Sequence, residues 1–331
     1  MTFHSAPLIA RLDLDTLPAG RHAFRFEALA TGLGQSWQLP VLVYRGTRPG
    51  PRVMITAGVH GDELNGVLAA QQLGRELDAE QLSGTVVLVP GLNPSGMQAR
   101  HRDFMPGDPD CSSSNFNRLF PGRVDGNSAE RYLHKVWTDL LEHNADFALD
   151  LHTQTRGARY PLFAFADFSN PEALAMARAL GPDCLQDDPG EAGVLETVWN
   201  EHEVPCITIE VGGGSIAELL TVNRAVAGIH RVLAHLGVTE SRPCEPGCEA
   251  VSVPVEGNTT TTVRAETGGM ALPAVALGQM VEQGELVAIQ YDAFGAEARR
   301  YTAPVAGWVL SLNDDPMREP GTLLVRLLHT K

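Results

Sequence analysis

Arg52 to Gly66 reads RVMITAGVHGDELNG, an apolar run that ends in glycine and is followed at once by His60, Asp62 and Glu63. The run is short and rich in β-branched and aliphatic residues, as a buried strand is. Behind it, ELNGVLAAQQLGREL carries its apolar residues at helical spacing. Strand, polar turn and helix in that order form the opening unit of an α/β fold, in which ligand crevices lie beyond the carboxyl ends of the strands.

Working outward, TVVLVPG (Thr85 to Gly91), DFALDLH (Asp146 to His152), PLFAFA (Pro161 to Ala166) and CITIEVGGG (Cys206 to Gly214) read as further buried strands. SAERYLHKVWTDLLEHN, PEALAMARALG and SIAELLTVNRAVAGIHRVLAHLG read as helices between them. The alternation predicts an α/β domain: a mixed, largely parallel sheet flanked by helices. Near Val238 to Glu249 the pattern dissolves into VTESRPCEPGCE. Residues 1–243 are therefore expected to form the catalytic α/β domain and residues 244–331 a C-terminal all-β domain. Within the latter, GMALPAVALGQMVEQGELVAI from Gly269 lies over GWVLSLNDDPMREPGTLLVRL from Gly307, pairing Met280 with Met317 and Gly284 with Gly321. Two such halves resemble the barrel-sandwich fold of biotinyl and lipoyl carriers. Residues 136–330 contain no lysine to carry such a group.

Composition excludes other classes. A formal charge of −15 with no dense Lys/Arg patch argues against nucleic acid as a partner. The opening MTFHSAPLIARLDLD lacks a basic segment followed by a long apolar one, and no apolar run approaches the roughly 18 residues that span a bilayer. A cytoplasmic protein without a membrane partner is expected. Five scattered cysteines without a CxxC pair suit a reducing compartment; CEPGC (Cys244 to Cys248) reads as a linking loop.

His60 and Glu63, three apart at the start of a helix, can direct an imidazole and a carboxylate to one point, and His152 at the end of another strand supplies a third donor. Two His and one Glu around Zn2+ leave a coordination position open, as catalytic zinc requires, and would activate a water molecule. Glu210 lies in an apolar strand where an isolated carboxylate is costly, which a general-base role would explain. Asp150, two before His152 in an extended strand, points the same way and is a candidate acceptor for a ligating imidazole. His230 and His235 read as packing or surface residues of a helix. Gly212 to Gly214 lack the Lys of a phosphate loop and read as a sharp turn.

GVHGDE, NPSGMQARHRDF, NFNRLFPG, DLHTQT and TIEVGGG, in this order over most of the first 240 residues, resemble the zinc amidohydrolases of the succinylglutamate desuccinylase and aspartoacylase family, related in fold to zinc carboxypeptidases. The resemblance implies one Zn2+ per chain on His60, Glu63 and His152, with Glu210 as the catalytic carboxylate. Arg102 in QARHR resembles the arginine that stabilises the oxyanion, with Arg100 as the nearby alternative. Asn117 and Arg118 resemble the pair that holds the carboxylate of the substrate's amino-acid part. The loop Asp103 to Asn115, DFMPGDPDCSSSN, departs from the family pattern. The substrate class implied is a small N-acyl amino acid, cleaved at its amide. A carboxypeptidase acting on short peptides is the alternative, and a non-catalytic zinc or ligand-binding protein is the alternative of another class. The C-terminal domain is expected to shape the mouth of the site and to support a homo-oligomer.

Overall fold

The computed structural model describes residues 3–108 and 110–331; Pro109, in the loop Asp103 to Asn115, and the first two residues of the opening stretch lie outside the described residues. A ten-stranded sheet runs in the order Leu8–Ile9, Gly20–Ala30, Ser36–Arg45, Ser83–Val89, Arg48–Ala57, Phe147–Gln154, Cys206–Gly213, Leu162–Ala166, Cys184–Asp187 and Val255–Gly257. Its central members pair in parallel, and Leu162–Ala166 runs antiparallel to Cys206–Gly213. The expected mixed, largely parallel sheet is therefore what forms. The long antiparallel pair Gly20–Ala30 and Ser36–Arg45 extends it on one side.

Helices cover both faces. Leu64–Glu76, Pro171–Leu180 and Leu219–His235 pack an aliphatic layer that includes Ile55, Leu149, Leu151, Ile207 and Ile209. On the other face, Ser128–Val136, a following π turn Trp137–Leu141 and the short helix Leu195–Glu201 enclose Phe116, Tyr132, Trp137 and Trp199. Asn127 and Glu130 cap the first of these reciprocally, Asn127 accepting from the Glu130 amide at 3.1 Å and Glu130 from the Asn127 amide at 2.9 Å.

From Thr259 onward the chain forms two antiparallel sheets. The internal repeat becomes an exchange of short strands. Met280–Val281, from the first half, pairs with Gly307–Asn313 of the second, and Met317–Arg318 pairs with Gly269–Pro273 of the first. Each half thus completes the other's sheet. Trp308, Leu310 and Leu328 pack against Tyr160, Phe163 and Cys184 of the large sheet, and Ala158–Arg159 adds to Gly307–Asn313 as an edge strand. All five cysteines are free thiols. Among the described residues no helix is long and apolar enough to cross a membrane.

Candidate metal centre and active-site cleft

Three neighbouring parallel strands carry the polar groups. In register, Thr56 lies opposite Asp150, Asp150 opposite Thr208, and His152 opposite Glu210. Side chains alternate across a strand, so these five residues share one face while Ile55, Leu149, Leu151, Ile207 and Ile209 share the other. All five polar residues are buried. They form a polar seam through an otherwise apolar sheet.

Beyond Ala57 the chain turns to bring His60 and Glu63 over the end of this seam. Gly61 makes the turn possible, because a Cβ there would lie 2.1 Å from the carbonyl carbon of Gly96. Its amide donates to the Arg102 carbonyl at 3.1 Å, which ties the turn to the segment bearing Arg102.

His60 Nδ1 lies 2.9 Å from Glu63 Oε1, His152 Nδ1 lies 2.9 Å from Glu63 Oε2, and the two Nδ1 atoms are 3.2 Å apart. Two donors on one tetrahedral zinc, each at about 2.05 Å, stand about 3.3 Å from one another. The cluster has that spacing, and its three residues are at most 3% exposed. The outer nitrogens are already committed: His60 Nε2 to Asn115 Oδ1 at 3.0 Å, and His152 Nε2 to Asp150 Oδ2 at 2.6 Å. Asp150 is itself held by the Thr56 hydroxyl at 2.6 Å. With Nε2–H donating outward to each acceptor, both imidazoles turn an Nδ1 lone pair inward, the tautomer a metal needs. Glu63 Oε2 also accepts the Thr153 amide at 3.1 Å.

The electrostatics agree with the geometry. Burial works to raise the Glu63 carboxyl, but His60 and His152 outweigh it and hold Glu63 well below the usual carboxylate range. Burial opposes charge on His152, yet Asp150 and Glu63 raise it well above an ordinary imidazole. The cluster favours a positive charge at its centre, which a divalent ion supplies.

Glu210 faces the cleft from the third strand. Gln154 Nε2 donates to its Oε1 at 2.8 Å, and its buried Oε2 has no hydrogen-bond partner. Burial and the negative Glu63 push this carboxyl up to about 8. Arg102 reaches into the cleft and pairs with Glu63. Arg100 instead ends the helix Pro94–Ala99 in a left-handed conformation, φ 51°, with its side chain exposed and outside the cleft.

Asn117 and Arg118 also line this cleft, whose volume is about 180 Å3. Asn117 Oδ1 accepts the Leu195 amide at 2.8 Å, satisfying the start of the helix Leu195–Glu201, which has no capping side chain of its own. Arg118 stands at the mouth, half exposed, 3.1 Å from Glu191. Thus all eight residues singled out from the sequence lie in or against one site. Asn115, Gln154, Glu196 and Thr208 belong to it as well and went unread. Thr208 was findable, since it precedes Glu210 by two in one strand and so shares its face; Asn115 and Glu196 have no such local signal. Two larger grooves, about 550 and 610 Å3, flank Glu76, His230 and Arg242 and contain none of these groups.

Comparison with known proteins follows from this architecture. Residues 49–236 match the model of the succinylglutamate desuccinylase/aspartoacylase catalytic domain. The chain is 29% identical over 262 residues, 77% of its own length and 74% of the relative's, to the N-alpha-acetyl-L-2,4-diaminobutyric acid deacetylase of Halomonas elongata. In three dimensions it is similar to the product-bound ectoine utilization protein EutE of Ruegeria pomeroyi, with a TM-score of 0.80, 24% identity, and coverage of 95% of this chain and 98% of that one. A succinylglutamate desuccinylase/aspartoacylase from Rhodobacter sphaeroides gives a TM-score of 0.80 at 22% identity, covering 96% and 98% of the two chains. At those identities the structural likeness is one of fold.

Proposed function

The chain belongs to the succinylglutamate desuccinylase/aspartoacylase family of hydrolytic deacylases, and from that premise we propose that it hydrolyses the amide of a small N-acyl amino acid with one zinc ion per chain. The observation that carries the reading is the convergence of His60, Glu63 and His152, with both outer imidazole nitrogens already occupied, beside a buried carboxyl oxygen that has no partner. A cleft of about 180 Å3 favours a small acylated amino acid over a peptide.

A divalent ion held by His60, Glu63 and His152 supplies Lewis acidity, acidifying water and polarising the acyl carbonyl. Glu210 takes a proton from the attacking water on its free Oε2 and delivers it to the departing amine nitrogen. Arg102 donates to the oxygen that gains charge as the carbonyl carbon becomes tetrahedral. Asn117, its Oδ1 spent on Leu195, offers its amide N–H groups, and Arg118 offers a planar fork; together they hold the substrate carboxylate. Asp150 keeps His152 in the tautomer and orientation that expose Nδ1.

The test is removal and return of zinc while following cleavage of N-acetyl- and N-succinyl-amino acids. Activity should vanish with the metal, return with it, and fall by about a thousandfold or more in Glu210→Gln. Turnover that survives both changes contradicts the reading.

A further inference from the structure

The proposed proton transfer needs the Glu210 carboxyl held in one orientation. The last torsion of a glutamate is broad and nearly two-fold, so a carboxyl that nothing holds exchanges its two oxygens freely. Among the described residues one hydrogen-bond donor reaches Glu210: Gln154 Nε2 lies 2.8 Å from Oε1 and leaves Oε2 without a partner. The two cations of the same cleft are engaged elsewhere, Arg102 with Glu63 and Arg118 with Glu191.

The backbone brings the amide of Gln154 to that point. Gln154 follows His152 by two in one strand and so shares its face, and His152 stands opposite Glu210. Past that pair the strands fall out of step. Gln154 is opposite Gly213, so the strand of Glu210 carries one residue more, with Gly212 inside it at φ 74°. A bulge-like insertion of this kind re-aims the side chains beside a site. The chain beyond Gln154 is anchored by the C-terminal sheets. The Gly157 carbonyl accepts the Asp314 amide at 3.0 Å and Arg318 Nη2 at 2.6 Å, Arg159 pairs with Asp314 at 2.7 Å, and Ala158–Arg159 lies along the edge of Gly307–Asn313.

We infer that Gln154 is a positioning residue for the reaction: its side-chain amide pins Oε1 of Glu210 and so fixes Oε2 as the oxygen that carries the proton. The inference rests on the deacylase reading above. A hydrogen bond to a carboxylate is among the stronger ones a neutral donor makes, and a group misplaced by about 1 Å can lose about a hundredfold in rate. Gln154 also lines the cleft, so direct contact with the substrate is the rival role. The two differ in what they change: a contact with the substrate acts on binding, whereas the orientation of Glu210 acts on turnover.

The experiment measures kcat, KM and zinc affinity for two variants, on whichever N-acetyl- or N-succinyl-amino acid the unmodified protein cleaves best. Gln154→Met keeps the length of the side chain and removes its donor; Gln154→Asn keeps the amide but is one methylene too short to reach. Both should lose about 10–100-fold in kcat, with KM and zinc affinity in a chelator competition changed by less than about threefold. In the Glu210→Gln background, Gln154→Met should cost less than about threefold, because the group it positions no longer moves a proton. Three results overturn the inference and leave the deacylase reading standing: kcat within about threefold in both single variants, a rise in KM as the main effect, or a loss that recurs in full beside Glu210→Gln. A zinc-loaded, unmodified protein that cleaves no N-acyl amino acid overturns both.

Discussion

The two faces of the strands Phe147–Gln154 and Cys206–Gly213 are built from opposite chemistries. Leu149, Leu151, Ile207 and Ile209 pack into hydrocarbon beneath helices, whereas His152, Thr208 and Glu210 look across the same backbone into a small cleft, with Asp150 buried behind His152. Fully burying an aliphatic side chain contributes about 1.5–3 kcal/mol to folding, whereas a buried unpaired carboxylate costs several kcal/mol. The polar face therefore sacrifices stability that the apolar face supplies. A strand buried on both sides has no folding reason to carry acids in a row, and this row is where a function is to be sought.

Perturbing the two faces should separate these contributions. The largest contrast lies between neighbours in one strand: Glu210→Gln should lower kcat/KM by about a thousandfold or more without lowering stability. Ile209→Ala should cost about 2–5 kcal/mol in a denaturant titration and keep activity within roughly tenfold. Similar losses in both would erase the distinction. Next comes Asp150→Asn, which turns the acceptor for His152 into a weaker one and should reduce zinc affinity by about 10–100-fold in a chelator competition. An unchanged affinity would leave Asp150 only its hydrogen bonds to Thr56 and His152 as structure.

Smaller effects follow from protonation, and their signs differ between the faces. In the metal-free protein Glu210 is pushed up to about 8, so between its ordinary value and that point the folded state holds a proton the unfolded chain releases. Stability is then lost as pH rises through this window. Glu210→Gln removes the dependence, and its stability gain in the metal-free protein should be about 1–3 kcal/mol larger near pH 8.5 than near pH 5. A gain independent of pH would show that Glu210 is not held protonated. Beyond the apolar face, His230 is lowered to about 4 by burial and by Arg242, with Glu76 at 3.0 Å partly offsetting them. Here the folded state binds fewer protons, so its contribution is complete above about pH 6.5 and is lost as pH falls toward 4. His230→Gln should flatten that acid limb by about 1 kcal/mol, read from thermal melts across the range.

Much of this was legible in the chain because it is local. Alternation within a strand shows that Asp150 and His152, or Thr208 and Glu210, share a face, and the glycine after the apolar run marks where His60 and Glu63 leave the sheet. The repeat from Gly269 and Gly307 announced two similar β halves, although not that each lends the other a short strand. The hairpin Gly20–Ala30 and Ser36–Arg45 is not evident from the sequence despite alternation in FRFEA, since Arg25 and Glu27 beside the aromatics weaken the apolar signal. Asn115 and Glu196 were out of reach because their roles depend on contacts across long stretches of chain: Asn115 with His60, and Glu196 with Thr208. The helix bearing Glu196, Leu195–Glu201, has seven residues and no capping side chain, too short to show a period.

Zinc titration of the chelator-treated protein, with bound metal and N-acyl-amino-acid cleavage followed on the same samples, tests the centre of this account most directly. Activity should rise in proportion to zinc and reach its plateau at about one ion per chain, and His152→Ala should abolish both tight binding and turnover. Full activity in the metal-free protein, or a His152→Ala variant that still binds zinc tightly and turns over, would contradict it.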